Sequence, residues 1–207
     1  MSSLPPSLSA ASARHGGPAP LFASAFPLRP ARVHEVCGAG ATAFAALTCA
    51  RARAGALIWI RETWMRDQLS PLGLADFFDP SRLILARAPD AVDALAVAEE
   101  ALRDSAVALV LLEVTRPLDL REGRRLQLAA KTGGATGLCL IPEGMGSNAA
   151  ETRWRVQPLW AGARAGGADS TLLRWQLIKN KSGTLGAWDV CWNRTTYRLD
   201  VVSPPAQ

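Results

Sequence analysis

HEVCGAGATAFAAL, residues 34–47, reads as a strand that runs into a glycine turn and then a helix, the layout of a phosphate-binding loop. A working loop has the form G-x-x-x-x-G-K-[ST]: backbone N–H groups wrap the phosphates, the lysine neutralises the terminal ones and the hydroxyl holds magnesium. Counted from Gly38, the chain reads G-A-G-A-T-A-F-A, so Ala43 stands at the second glycine, Phe44 at the lysine and Ala45 at the hydroxyl residue. Gly38 and Gly40 remain, Thr42 offers a hydroxyl one turn early, and nothing replaces the charge. ATPase chemistry rests on positioning the phosphates and stabilising their charge. The reading is therefore a phosphate-loop architecture without its chemistry: no enzyme activity, no cofactor and no metal.

Outward from this stretch, strand-like and helical segments alternate. RVHEVC (32–37), ALIWI (56–60), RLILA (82–86), VALVLLEV (107–114) and GLCLI (137–141) are apolar runs of strand length. Between them lie the helical stretches AFAALTCARAR (43–53), DAVDALAVAEEALRDS (90–105, with Asp90 as the cap) and LREGRRLQLAAKTGG (120–134, stopped at Gly133 and Gly134). WMRDQLSPLGLADFFD reads as a broken helix with Pro71 and Gly73 inside it. The unbroken apolar run at 107–114 suits a central parallel strand covered on both faces. From TRWRVQPLW onward, large apolar and polar residues alternate without helices, the pattern of antiparallel strands and a hairpin. The expected fold class is α/β: a mostly parallel, doubly wound sheet with helices on both faces, extended by C-terminal antiparallel strands. Ligands of such sheets bind at the carboxyl ends of the strands, so the turns after residues 37, 60 and 114 are expected to lie together. Two carboxylates stand near such ends, Glu62 and Glu113. In an intact site the first would orient water and the second would coordinate magnesium; without a lysine they read as solvated strand-end residues.

Composition bounds the rest. At 207 residues one domain is expected. The first 31 residues hold six of the 14 prolines and no acidic residue. They are expected to be disordered, with the ordered domain spanning 32–202. Of 23 basic residues only three are lysines, Lys131, Lys179 and Lys181, and the net charge is +5. No block of like charges marks a dedicated polyanion-binding surface. Four cysteines without a C-x-x-C pair, and only His15 and His34, exclude a disulfide framework, a zinc site and a Ser-His-Asp triad. The absence of an ~18-residue apolar run leads to the expectation of a soluble, cytoplasmic protein with no membrane partner.

RVHEVCGAG, IWIRE, VALVLLEV and RWQLIKNKSGTLGAWDV occur in the order found in the ATPase core of the bacterial recombinase RecA, and the likeness covers residues 32–192. The K-N-K segment is its most specific part. The resemblance implies that Lys179 and Lys181, with Asn180 between them, look across a subunit boundary towards the neighbour's nucleotide, and that Glu62 corresponds to the catalytic glutamate. The departures are equally specific: the phosphate loop lacks its lysine, and GLCLIPEG lacks the Asn-Gln pair expected of the nucleotide-sensing strand. TRPLDLREGRR (115–125) and PEGMGSNAAETRWR (142–155) are too short for full DNA-binding loops.

A truncated, site-deficient chain of this kind resembles the ImuA family, and KNKSGTLGAWDV with the RETW stretch resembles its alphaproteobacterial form. That resemblance implies a non-catalytic adaptor of SOS-induced mutagenesis. Its partners would be the polymerase-like protein ImuB and RecA, with DNA reached through the complex. Trp64 and Trp160, with the K-N-K residues, are the candidate interface positions. Two other readings stand beside it. One is a division inhibitor resembling SulA. The other is a nucleotide-dependent DNA-binding protein using Arg121, Arg124, Arg125, Arg153 and Arg155 on phosphates. Trp175, Trp188 and Trp192 are expected in the core.

Overall fold

The computed structural model describes residues 22–159 and 170–203. Its centre is a nine-stranded sheet in the order β3-β2-β4-β5-β1-β6-β7-β8-β9. The strands are β1 (Val33–Cys37), β2 (Ala56–Glu62), β3 (Leu83–Ala88), β4 (Val107–Glu113), β5 (Thr136–Leu140), β6 (Thr152–Pro158), β7 (Ser170–Asn180), β8 (Gly186–Asn193) and β9 (Arg198–Ser203). The strands from β3 to β6 are parallel, and β7, β8 and β9 continue the sheet antiparallel. The expected α/β sheet with an antiparallel extension is thus present. TRWRVQP, however, joins the parallel part through β1 before it turns into the meander.

Helices fill both faces: α1 (Phe22–Ala25), α2 (Ala41–Arg51), α3 (Pro71–Ala75), α4 (Ala91–Arg103) and α5 (Leu120–Gly133). Their ends follow from local chemistry. The Asp90 carboxylate accepts from the Val92 and Asp93 N–H groups and starts α4. Asp119 and Glu122 form a reciprocal capping box on α5, and Gly134 ends that helix at φ 78°. The stretch expected as a broken helix at 64–79 keeps only the short α3: residues 65–70 are not helical, Pro71 starts the helix under a Ser70 cap, and the Phe77 and Phe78 N–H groups both close on the Leu74 carbonyl at its end.

Strand alternation divides the core into two layers. Ile60, Val110, Leu112 and Cys139 face α4 and α5. Leu57, Trp59, Leu109, Leu111 and Leu138 face α2, and the same layer continues across Trp154, Trp175 and Trp188 of the meander. Trp175, Trp188 and Trp192 are all buried, as their alternation predicts. The expected boundary at Arg32 is too late. Phe26 and Leu28 are buried, and Phe22 and Phe26 set their rings 5.7 and 4.9 Å from Trp175. Residues 22–31 therefore close the aromatic layer from outside the strand-helix pattern, where periodicity carries no signal.

Cys37, Cys49 and Cys139 are free and buried; burial pushes Cys49 up to about 12 and raises Cys139, so both stay protonated thiols. His34 is buried on β1. Its Nδ1 lies 2.7 Å from Thr152 Oγ1 and its Nε2 lies 2.9 Å from the Arg29 carbonyl, while Trp154 Nε1 donates to Thr152 Oγ1 at 3.0 Å. One neutral tautomer satisfies the chain: Nε2–H donates to Arg29, and Nδ1 accepts from the Thr152 hydroxyl. Burial is the largest influence on this ring and pushes its pKa from 6.5 down to about 4. Below 6.5 the unfolded chain binds a proton that the folded chain excludes. The contribution of neutral His34 is therefore complete above pH 6.5 and falls as pH drops towards 4, by about 3 kcal/mol in all. Urea unfolding across this window is expected to show that loss for the wild type and a flatter profile for His34→Gln; parallel profiles would contradict the assignment.

Candidate functional site

The loop between β1 and α2 is only Gly38, Ala39 and Gly40. It lies flat on β6: the Gly40 N–H donates to the Val156 carbonyl at 2.9 Å, and the Ala41 N–H donates to the Gly38 carbonyl at 3.0 Å. Gly38 sits at φ +95°, and a Cβ there would fall 2.4 Å from the Val156 carbonyl oxygen. Glycine is needed here for close backbone approach to a neighbouring strand, the same property that phosphate loops use to approach a ligand. A backbone donor that would face a phosphate is instead spent within the sheet.

Because α2 begins at Ala41, Phe44 is not at the mouth of a loop. Its N–H donates to the Gly40 carbonyl in the first helical turn, and its side chain is fully buried. Ring centroids of Trp175, Trp154 and Phe26 lie 4.5, 5.4 and 5.7 Å away. Ala45 is buried as well, and Thr42 is exposed. The alignment that matched Phe44 to the lysine position holds in residue count alone, since the early helix start turns that side chain into the core.

Glu62 and Glu113 do not converge on a common centre. Glu62 is buried on the side of Ile60 and accepts from Trp64 Nε1 at 2.8 Å and from the Thr115 hydroxyl. Glu113 lies on the side of Trp59, where it accepts from Trp59 Nε1 at 2.8 Å and meets Arg61 Nε at 2.6 Å. Both carboxylates tie β2 to β4 or to the residues just after it, so neither is the solvated strand-end group expected from its position. The turns after β2 and β4 do meet, through Glu62 and Thr115. β5 stands between β4 and β1, and the turn after β1 rests on β6. Trp59, Arg61 and Thr115 are partners that the motif reading missed; a lone arginine inside the apolar run ALIWIRE was their one signal.

The K-N-K residues are occupied within their own chain. Lys179 Nζ donates to the carbonyls of Ser147 and Asn148, both at 2.9 Å, and Lys181 Nζ donates to that of Ala149 at 2.6 Å. Asn180 shapes the turn after β7, with Nδ2 donating to Thr184 and Oδ1 accepting from Ser182. Beneath them Glu35, nearly fully buried, accepts from the Ser147 N–H at 2.8 Å and from Arg153 Nε at 2.7 Å; Arg153 also donates to the Ser147 carbonyl at 3.0 Å. Gln127 of α5 reaches the Ala149 carbonyl at 3.0 Å. Burial, then the neighbouring Arg153, lowers the pKa of Lys179. These residues form a clamp that pins residues 147–149, inside the segment where the resemblance places a DNA-binding loop. Lys179 and Lys181 thus bond to a loop of their own chain.

Of the arginines read as phosphate contacts, Arg153 is held by Glu35, Arg155 meets Glu143 at 2.9 Å and Arg125 reaches Glu99 at 2.5 Å. Arg121 and Arg124 stand exposed on α5. Trp64 is 61% exposed, and Trp160 lies outside the described residues. Among the described residues no group of three or more His, Cys, Asp or Glu could hold a metal ion, and no helix is long and apolar enough to cross a membrane.

No family model matches the chain. It is 31% identical over 149 residues to Protein ImuA from two strains of Caulobacter vibrioides, a match covering 66% of this chain. The same match spans 60% of those relatives, so the chain answers to less than two thirds of their length. The crystal structure of the RadB recombinase superposes with a TM-score of 0.61 over 84% of this chain and 92% of that one, at 16% identity, a likeness of fold. The strand, glycine turn and helix at residues 33–51 and the sheet order agree with these two similarities: the chain has the fold of a recombinase core and is similar in sequence to Protein ImuA.

Proposed function

We propose that this protein is a non-catalytic accessory factor of SOS-induced, error-prone translesion DNA synthesis, acting in the cytoplasm. It works by binding the polymerase-like protein ImuB, with RecA as a second partner and DNA reached through the complex. The observation that carries the reading is the sealed loop after β1: its backbone donor is bonded to Val156 and Phe44 fills the aromatic core. A RecA-like sheet that cannot cradle a phosphate there retains its surfaces as its working parts. Trp64 is the large aromatic exposed at the strand ends, and such residues anchor protein interfaces.

The test is ultraviolet-induced mutation frequency in a strain lacking the gene, with filamentation scored alongside. Loss of induced mutagenesis, restored by the wild-type gene, is expected. In the same cells Trp64→Arg, which keeps a donor beside the buried Glu62, is expected to fold and to lose copurification with ImuB. Unchanged mutagenesis in the deletion strain would overturn the proposal, and filamentation on overexpression would then favour a division inhibitor. Unchanged copurification would remove Trp64 from the interface.

A further inference from the structure

β9 is the last strand of the sheet and no described segment pairs with its outer side. It exposes Val201 at 42% and Val202 at 54%, and Tyr197 just before it at 54%. A free edge with apolar side chains is a template for another strand. The two faces of β9 differ in character. Leu199 pairs with buried Trp192 and Val201 with buried Val190, so this row lies on the core side. Tyr197 joins it, its ring 6.0 Å from that of Trp192. Arg198 and Asp200 lie on the other side, opposite Asn193 and Cys191.

A second copy of β9 running antiparallel across a two-fold axis must keep core-side residues opposite core-side residues, so the axis passes through a residue rather than between two. Centred on Arg198 or on Asp200, the arrangement sets two like charges face to face. Centred on Val201, it sets Asp200 against Val202 and Arg198 against position 204, so neither charge meets an opposite charge. Centred on Leu199, it places Arg198 of each copy opposite Asp200 of the other, Leu199 against Leu199, and Val201 beside Tyr197. In that register the opposite charges and the apolar row match together, and directly opposed side chains are the unit of sheet stabilisation.

We propose that β9 joins two copies of this chain antiparallel about Leu199, making one continuous sheet across the dimer. A single strand pair buries less surface than the ~1,200 Å² of a standard specific interface, so the association depends on concentration. This pairing of β9 does not depend on the proposed role in mutagenesis.

Sedimentation equilibrium of the full chain, up to about 0.1 mM, tests it. The wild type is expected to dimerise. Asp200→Arg opposes arginines at both positions and is expected to weaken the dimer about tenfold or more. Exchanging the charges in one chain, Arg198→Asp with Asp200→Arg, restores the pairing and is expected to restore the dimer, which a merely misfolded edge would not do. A monomeric wild type over this range would overturn the proposal. So would a dimer indifferent to Asp200→Arg, or one that the charge exchange fails to rescue.

Discussion

Phe44→Lys, the substitution that would write the missing lysine back into the phosphate-loop pattern, is expected to unfold the protein rather than to create a nucleotide site. Phe44 is fully buried among Phe26, Trp154 and Trp175. Removing such a ring from a core costs about 3–5 kcal/mol through lost transfer and the cavity left behind. An ammonium in its place must also be desolvated or deprotonated. The combined loss, at least about 4 kcal/mol, is a large share of the 5–15 kcal/mol that holds an ordinary domain together. Denaturant unfolding with tryptophan fluorescence reads it directly, since Trp154 and Trp175 border the site. A stable variant that binds ATP would show that α2 can shift to open the loop, and would overturn the account of a sealed site.

Arg153→Ala carries the second large expectation, because two readings of the same residue disagree about it. As a phosphate contact, Arg153 would leave stability nearly unchanged when removed, as a surface substitution does within about 0.5 kcal/mol. As the partner of Glu35, its loss strands a carboxylate that is 1% exposed, and breaking such a pair costs about 3–5 kcal/mol. The geometry requires the second outcome. Arg121→Ala on exposed α5 supplies the internal comparison and is expected to unfold with the wild type. Glu35→Gln together with Arg153→Met keeps an acceptor for the Ser147 N–H while removing both charges, and is expected to recover part of the loss. A near-neutral Arg153→Ala would return that residue to the pool of free cations and undo the clamp on residues 147–149.

The parallel sheet was legible because its strands carry unbroken apolar runs and its helices carry caps. Asp90 and Gly134 mark helix ends by chemistry that acts over three or four residues, and both do so in the structure. Missing from that reading was the segment Phe22–Ala31, which looks like a proline-rich tail. Its contribution is two phenylalanines placed against Trp175, a contact between residues far apart in the chain. Lys179 and Lys181 show the same limit from the other side. Their sequence context resembled a subunit boundary, while the antiparallel pairing of β6 with β7 brings both ammonium groups over the carbonyls of residues 147–149.

Sequence alone determined that this is an α/β chain in which a strand, a glycine turn and a helix follow one another with no lysine at the phosphate-loop spacing, because periodicity, caps and motif spacing are local properties. Tertiary structure alone decided that the loop is closed by a bond to Val156, that Glu62 and Glu113 serve opposite faces of the sheet, and that Glu35 requires Arg153. The physical reason is that a hydrogen bond or an ion pair between distant segments is fixed by strand order and register, and one residue of register exchanges every side chain between the two faces of a sheet.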